Sequence, residues 1–242
     1  MRVIGMLGGM SWESTAEYYR VINQQVQQRL GGVHSARLLL DSLDFADIEE
    51  LQTAGQWDRA GEILATKARG LERSGADLVV LCTNTMHKLA GAIERAVSIP
   101  LLHIGDATAA AIRAAGFTRV GLLGTAFTME QDFYRDRIAA HGIQTLTPPQ
   151  ADRTTVHRVI YDELVRGVAK PESRAAYAEI IARLVDAGAQ GIILGCTEIE
   201  LLVRAEDSPV PVFATTRIHA EAAVEAALAT ATSSDRAGRP RS

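Results

Sequence analysis

Residues 75–83 read GADLVVLCT, and residues 188–196 read GAQGIILGC. The two stretches align without a gap, so Thr83 and Cys196 occupy equivalent positions, and Cys82 is equivalent to Gly195. Each stretch carries a short apolar run of the kind that forms a buried strand. An internal repeat of this kind indicates two similar structural units within one chain.

Similarity between the two halves continues around this stretch. Three more pairs of segments match in the same order: VIGMLG (3–8) with VGLLG (120–124), YYR (18–20) with FYR (133–135), and IPL (99–101) with VPV (210–212). Any one match could arise by chance, but four in the same order indicate two halves with the same strand order.

Short apolar runs alternate with longer segments of helical period along the chain, which predicts parallel sheets with helices on both faces. We expect an α/β protein of two pseudo-symmetric, four-stranded, doubly wound domains with the active-site cleft between them. The expected first half is residues 1–98 plus 210–229, the second is 99–209, and the small, polar tail 230–242 is expected to be disordered. The predicted strands are Val3–Leu7, Arg37–Leu40, Leu78–Leu81, Leu101–Ile104, Val120–Leu123, Gln144–Leu146, Ile192–Leu194 and Val210–Phe213.

The composition narrows the functional classes. The net charge is −4 and the 25 Lys and Arg residues are mostly scattered, so we expect no nucleic-acid partner. No apolar run reaches about 18 residues, which argues against a membrane span. Two cysteines make no disulfide framework and fit the reducing cytoplasm. No cluster of His, Asp and Glu has ligand spacing beside them, so we expect no metal.

Cys196 ends an apolar strand and precedes a T-x-x-E stretch from Thr197 to Glu200, which predicts a capping box and a helix that starts just beyond the thiol. The positive end of that helix would lower the thiol pKa. The alternative, a buried structural cysteine, is equally compatible with the local sequence.

Cys82 and Thr83 are neighbours, and neighbouring side chains of a strand point to opposite faces. Because the repeat aligns Thr83 with Cys196, we expect Thr83 to point into the cleft and Cys82 to pack against a helix. Cys82 remains the rival for the catalytic position.

Small hydrogen-bonding residues follow the predicted strands in both halves. Asn84, Thr85, Thr125 and Thr197 suit an α-carboxylate and an α-ammonium together, although each one alone could be a helix cap. The loop Gly5–Trp12 lacks the spacing of a dinucleotide-binding turn. We interpret its glycines as room for a small ligand, His87 as a residue on a helix face rather than a base, and the acidic run from Asp41 to Glu50 as a solvated face.

In the motifs around these residues, the chain resembles the aspartate/glutamate racemase family. The motifs that carry the likeness are CTNTMH (82–87), GCTE (195–198) and GMLGGM (5–10), and the likeness runs from residue 1 to about 229. It is closest to the branch of amino-acid racemases with broad specificity. The resemblance implies a two-domain fold, often dimeric, in which two cysteines on opposite faces of the substrate α-carbon move its proton without pyridoxal phosphate or another cofactor.

One motif departs from the family pattern. Members usually have Cys-Asn-Thr at the first motif, and aligning Asn84-Thr85 with it puts Thr83 rather than Cys82 in the first catalytic position. We therefore expect Cys196 and Thr83 to act on opposite faces of the substrate, and the two antipodes to react at unequal rates. The resemblance adds Met10, Gln52, Tyr161 and Glu198 to the substrate-binding residues.

Aspartate-selective relatives have a basic residue four positions after a tyrosine like Tyr161, and here that position is Val165. Its absence favours neutral or mixed amino acids, with Asp and Glu still open. The alternatives are another α-carbanion enzyme of the same fold, such as a malonate-type decarboxylase or a hydantoin racemase, and a non-catalytic small-molecule binding protein.

Overall fold

The structure is a computed structural model that describes residues 1–229, so the tail predicted to be disordered lies outside the described residues. The strands are β1 (Ile4–Gly8), β2 (Leu38–Ser42), β3 (Leu78–Leu81), β4 (Leu101–Leu102), β5 (Arg119–Gly124), β6 (Gln144–Leu146), β7 (Ile192–Gly195) and β8 (Val212–Ala214). Every predicted strand is present, because short apolar runs bounded by turns are a strong strand signal.

Helices follow almost every strand. They are α1 (Trp12–Leu30), α2 (Phe45–Thr53), α3 (Trp57–Arg73), α4 (Ala90–Glu94), α5 (Ile104–Ala114), α6 (Ala126–Glu130), α7 (Asp132–Ala139), α8 (Gln150–Asp162), α9 (Pro171–Asp186), α10 (Ile199–Leu202) and α11 (Thr215–Leu228). Three 3-10 turns lie at Thr85–Leu89, Leu164–Arg166 and Ala205–Asp207. None of the helices within residues 1–229 combines the length and apolarity needed to cross a membrane.

The two sheets have the same topology. Strands β2-β1-β3-β4 form one sheet and strands β6-β5-β7-β8 form the other, with every neighbouring pair parallel. In the register, Leu7 pairs with Leu81 and Leu123 pairs with Leu194, so the repeat places equivalent residues at equivalent sites. The predicted α/β class with two four-stranded parallel sheets is confirmed.

Helices cover both faces of the first sheet. Val80 and Cys82 of the third strand's run face a core with α1 and α11, whereas Val79 and Leu81 face a second core with α3. This alternation follows from the two-residue period of a strand. It sends the Cys82 side chain into the core, as the sequence predicted, where it is fully buried.

The two halves exchange their last helices. Strand β4 belongs to the first sheet, but Ile104, Ala109 and Ile112 of α5 pack in the core of the second. Conversely, β8 belongs to the second sheet, but Ala220 and Val224 of α11 pack in the first. The sequence-based boundaries, 1–98 plus 210–229 and 99–209, place both helices in the halves where they pack but assign β4 and β8 to the halves opposite to their sheets. The reason is that the chain crosses from one half to the other after each of these strands and not before it.

The acidic run between Asp41 and Glu50 contains a helix that the sequence analysis missed. Asp44 caps α2 by accepting a hydrogen bond from the Ala46 amide, and Glu49 and Glu50 are exposed as expected for a solvated face. The opposite face buries Ile48 and Gln52. This helix therefore brings one side of the acidic segment to the cleft.

Candidate active site

A cavity of about 50 Å³ lies between the two sheets, beyond the carboxyl ends of β3 and β7. Ligands of parallel α/β proteins bind at such strand ends. Its lining residues are Met10, Ser11, Ser14, Phe45, Gln52, Thr83, Asn84, Thr85, Thr125, Ile160, Tyr161, Val165, Gly195, Cys196, Thr197 and Glu198. All ten residues predicted for the site are in this lining, and the rival Cys82 is not.

We call the segment Thr83–Thr85 together with His87 the Thr83 wall. The Thr83 amide donates to the Leu81 carbonyl at 2.9 Å, which closes a three-residue turn centred on Cys82. The turn lets the chain leave the sheet while the Cys82 thiol stays in the core, 3.7 Å from the Val80 carbonyl oxygen. Burial raises the pKa of Cys82, so this thiol stays protonated.

His87 anchors this wall from behind. The Ile104 amide donates to His87 Nε2 at 3.1 Å, so this nitrogen carries no proton, and Nδ1 donates to the Thr83 carbonyl oxygen at 2.7 Å. Burial and the neighbouring His103 and His219 lower the pKa of His87 and keep the ring neutral. The residue interpreted as a helix-face histidine is thus a neutral support for the Thr83 backbone.

We call the segment Gly195–Glu198 together with Ser11 the Cys196 wall. Cys196 Sγ lies 2.9 Å from Glu198 Oε2, and Ser11 Oγ donates to the other carboxylate oxygen, Oε1, at 2.7 Å. Burial, followed by the charge and hydrogen bond of Glu198, raises the pKa of Cys196 well above its ordinary value. The expected lowering of this pKa by a helix N-terminus is wrong, because burial and an adjacent carboxylate outweigh a helix of one turn.

The predicted capping box after Cys196 is also absent. Thr197 Oγ1 lies 2.7 Å from Ser14 Oγ and 2.7 Å from Thr216 Oγ1, so its hydroxyl bonds across the cleft wall rather than to the start of α10. Glu200 lies in the first turn of α10, and its carboxylate lies near the Thr216 backbone N–H. The T-x-x-E stretch therefore ties three elements together instead of capping one.

Small polar groups from both halves meet around the cavity. Thr85 Oγ1 lies 3.2 Å from Thr125 Oγ1, a contact between the ends of the first and second sheets. Asn84 Nδ2 donates to Thr215 Oγ1 at 3.0 Å, while its buried Oδ1 has no hydrogen-bond partner among the described residues. These groups offer donors and acceptors to a ligand in the cavity.

The lining also includes the apolar side chains of Met10, Phe45 and Val165, together with Gln52 and Tyr161. Burial and the nearby Cys196 raise the pKa of Tyr161 to about 12, so its hydroxyl remains a neutral donor. Among residues 1–229, no Lys or Arg belongs to the lining, which agrees with Val165 at the position that carries a basic residue in aspartate-selective relatives.

Six lining residues were not predicted from the sequence: Ser11, Ser14, Phe45, Ile160, Val165 and Gly195. Ser11 is the N-cap of α1, which begins at Trp12. A serine directly before a helical pattern is the usual N-cap signal, and it could have placed Ser11 at this strand end. Phe45 was missed with α2.

Glycine at position 9 is required by the loop that brings Met10 and Ser11 to the site. Gly9 has a φ of +88°, and a Cβ there would collide with the backbone of Leu43. The cysteines are not paired, and residues 1–229 contain no group of three His, Cys, Asp or Glu side chains arranged to hold a metal.

Two matching sheets with a thiol and a hydroxyl at equivalent strand ends define a pseudo-symmetric α/β protein with one shared cleft. The model of the Asp/Glu/Hydantoin racemase family matches residues 7–223, and the chain belongs to this family. The family expectation from the sequence is confirmed.

Individual relatives support the same assignment. A Yersinia pestis protein, whose crystal structure is that of a candidate Asp/Glu racemase, is 54% identical with a TM-score of 0.90, and the match covers 94% of this chain and 100% of that one. An aspartate racemase homologue from Pyrococcus horikoshii OT3 is 32% identical with a TM-score of 0.83, over 94% and 99% of the chains. The broad specificity amino-acid racemase RacX of Bacillus subtilis (strain 168) is 22% identical over 94% of this chain and 99% of its own length.

Proposed function

We propose that this protein is a cofactor-independent amino-acid racemase in which Cys196 and Thr83 act on opposite faces of the substrate α-carbon. The observation that carries the proposal is the position of these two side chains at equivalent strand ends on one small cavity. Removal and return of an α-proton needs one group on each face, and two repeats facing each other supply that geometry. Membership of the racemase family supports the same reaction class.

Glu198 makes Cys196 usable as a base. The thiol is protonated at rest because its pKa is raised, and the acceptor 2.9 Å away is the Glu198 carboxylate. Transfer of this proton to Glu198 leaves a thiolate facing the substrate, and the thiolate then removes the α-proton. Ser11, hydrogen-bonded to the other oxygen of Glu198, holds the carboxylate in line.

Thr83 supplies the other face differently. A threonine hydroxyl is a much weaker acid than a thiol and a poor base, so it passes a proton to the α-carbon together with a water molecule rather than alone. The antipode whose α-hydrogen faces Cys196 is therefore the faster substrate.

The α-substituents bind the small polar groups of the lining. The α-ammonium donates to the unpartnered Oδ1 of Asn84, a buried acceptor that otherwise has no partner among residues 1–229. The α-carboxylate accepts from the hydroxyls of Thr85 and Thr125 and from backbone N–H groups of the turn after Cys196.

The side chain of the substrate lies towards Gln52 and Tyr161. The small cavity and these two neutral polar groups favour short polar side chains, Asp and Glu included. With no Lys or Arg in the lining, a distal carboxylate is held by neutral hydrogen bonds, which are weaker than charge-assisted ones. We expect modest discrimination between acidic and neutral substrates.

The cytoplasmic location and the homodimer expected from the sequence are part of this proposal. A malonate-type decarboxylase, a hydantoin racemase or a non-catalytic binding protein would use the same cleft. The thiol in contact with an acceptor carboxylate favours proton transfer over binding alone.

A panel of single antipodes of Asp, Glu, Ser, Asn and Ala in deuterated water tests the proposal. The expected result is appearance of the opposite antipode with deuterium at the α-carbon. Carbon dioxide released from a substituted malonate, with no α-exchange of amino acids, would point to the decarboxylase. Stabilisation by amino acids without exchange would point to a binding protein.

A further inference from the structure

A second cavity, of about 330 Å³, lies directly behind the Cys196 wall. Ser14, Thr197 and Glu198 line both this cavity and the active-site cavity. These three residues therefore form a shared partition, with the substrate cavity on one side and a larger cavity that includes charged side chains on the other. The rest of the second cavity includes Glu13, Glu17 and Glu200.

The proposed chemistry requires a route by which a proton leaves the Cys196 side of the cleft. When the Cys196 thiolate removes the α-proton, the C–H bond breaks, an S–H bond forms and the electron pair stays on the α-carbon. Glu198 already holds the original thiol proton, so the Cys196 and Glu198 pair then holds two protons. The carbanion takes its new proton from an O–H on the Thr83 side, so the pair must lose one proton and the Thr83 side must regain one before the next turnover.

We propose that Glu200 and the cavity behind the Cys196 wall are the route by which this extra proton leaves, an inference that rests on the proposed function. One O–H bond of Glu198 breaks, an O–H bond forms on the Glu200 carboxylate through solvent in the second cavity, and Glu200 releases the proton to bulk water. Glu200 is a proton-relay and positioning residue and does not touch the substrate.

The contacts around Glu200 support this route. Both oxygens of Glu198 are engaged on the active-site side, Oε1 by Ser11 and Oε2 by Cys196, whereas Glu200 Oε1 is buried without a hydrogen-bond partner among the described residues. The Thr216 backbone N–H faces the Glu200 carboxylate, and Thr216 Oγ1 lies 2.7 Å from Thr197 Oγ1. Glu200 thus lies close to Thr216, which contacts the partition residue Thr197, and its Oε1 has no hydrogen-bond partner among the described residues.

The acid strength of Glu200 suits exchange near neutral pH. Burial, followed by the charge of Glu17, raises the pKa of Glu200 to about 7, while Arg217 and the Thr216 N–H oppose the rise. A group with this pKa both accepts and releases a proton readily in neutral water. An ordinary surface glutamate is too acidic to hold the proton long enough.

The test follows hydrogen at the α-carbon of the faster antipode in deuterated water. In the wild type, the protium on Cys196 passes to Glu198, leaves through the second cavity and is replaced by deuterium before the thiol returns a hydrogen, so recovered substrate gains deuterium. In Glu200→Gln, the removed protium returns to the same face, so the deuterium in recovered substrate relative to product falls at least about threefold at equal conversion, and kcat falls about tenfold with KM unchanged. Glu200→Asp, which keeps the carboxylate, should restore part of both.

Glu13→Gln is the matched control, because it removes a carboxylate of the same cavity that is not one of the three partition residues. It should leave the deuterium ratio and kcat at the wild-type values. A Glu200→Gln enzyme with the wild-type ratio and kcat overturns the relay, and so does an equal effect of Glu13→Gln. If the wild type itself exchanges no α-hydrogen, the racemase proposal fails first. The isotope ratio is independent of the folded fraction, which separates a relay from a structural role.

Discussion

The Thr83 wall and the Cys196 wall come from equivalent places in two sheets of identical strand order, yet their surroundings differ. Thr83 follows a tight turn, and its backbone carbonyl accepts from a neutral histidine, His87. Cys196 ends its strand with the thiol beside the carboxylate of Glu198. The Thr83 wall fixes a backbone segment, and in the proposed mechanism the Cys196 wall moves a proton.

This difference shows that a repeat conserves position and not chemistry. The same strand-end site carries a hydroxyl in one half and a thiol with an acceptor carboxylate in the other. The side chains that set the contrast, Ser11 and His87, come from outside the matching segments. A reaction that needs two unlike groups can therefore be built on a duplicated scaffold.

Removal of the Cys196 thiol should have the largest effect on this contrast. In Cys196→Ser, we expect kcat to fall about 10³-fold, because a serine hydroxyl is far less able than a thiol to give its proton to Glu198. Chiral chromatography of both antipodes measures the rates. Cys82→Ala is the control: its kcat should be unchanged, and its free energy of unfolding should fall by about 1–2 kcal/mol because a buried atom is lost. If instead folded Cys82→Ala is inactive, Cys82 is the reacting thiol.

Loss of the acceptor carboxylate should have the next largest effect. In Glu198→Gln, the charge and hydrogen bond that raise the pKa of Cys196 are gone, so this pKa falls while burial still keeps it high. More thiolate is then present at a given pH, yet kcat should drop about 10²-fold, because the amide cannot take the thiol proton.

The effect of Glu198→Gln is measured as the alkylation rate of Cys196 against pH. The measurement is made in a Cys82→Ala background, in which Cys196 is the one remaining thiol of the sequence. Faster alkylation with slower turnover is expected. An unchanged alkylation profile would contradict the role of Glu198 in setting the pKa.

The smallest expected effect comes from a substitution that gives both walls a thiol. In Thr83→Cys, a second thiol faces the cavity, and we expect the slower antipode to speed up about tenfold so that the two rates approach each other. Thr83→Ser keeps a hydroxyl and should keep the unequal rates. Equal initial rates from both antipodes in the wild type would remove the proposed asymmetry.

Much of the fold could be predicted because its signals are local. Apolar runs such as Leu78–Leu81 and Ile192–Gly195 identify buried strands by themselves. Helix α2 was missed because its buried face has few apolar residues among many acids. The sequence-based boundaries placed α5 and α11 in the halves where they pack but assigned β4 and β8 to the opposite halves, since strands this short carry little signal about which sheet they join.

The sequence by itself determined the α/β class, the equivalence of Thr83 and Cys196 and the burial of Cys82, because strand period and a repeat are properties of neighbouring residues. Only the tertiary structure decided the acid strength of the cysteine and the neutral state of His87. Ser11 and Glu198 meet across 187 positions of sequence, and a pKa depends on burial and on charges that such distant contacts bring together.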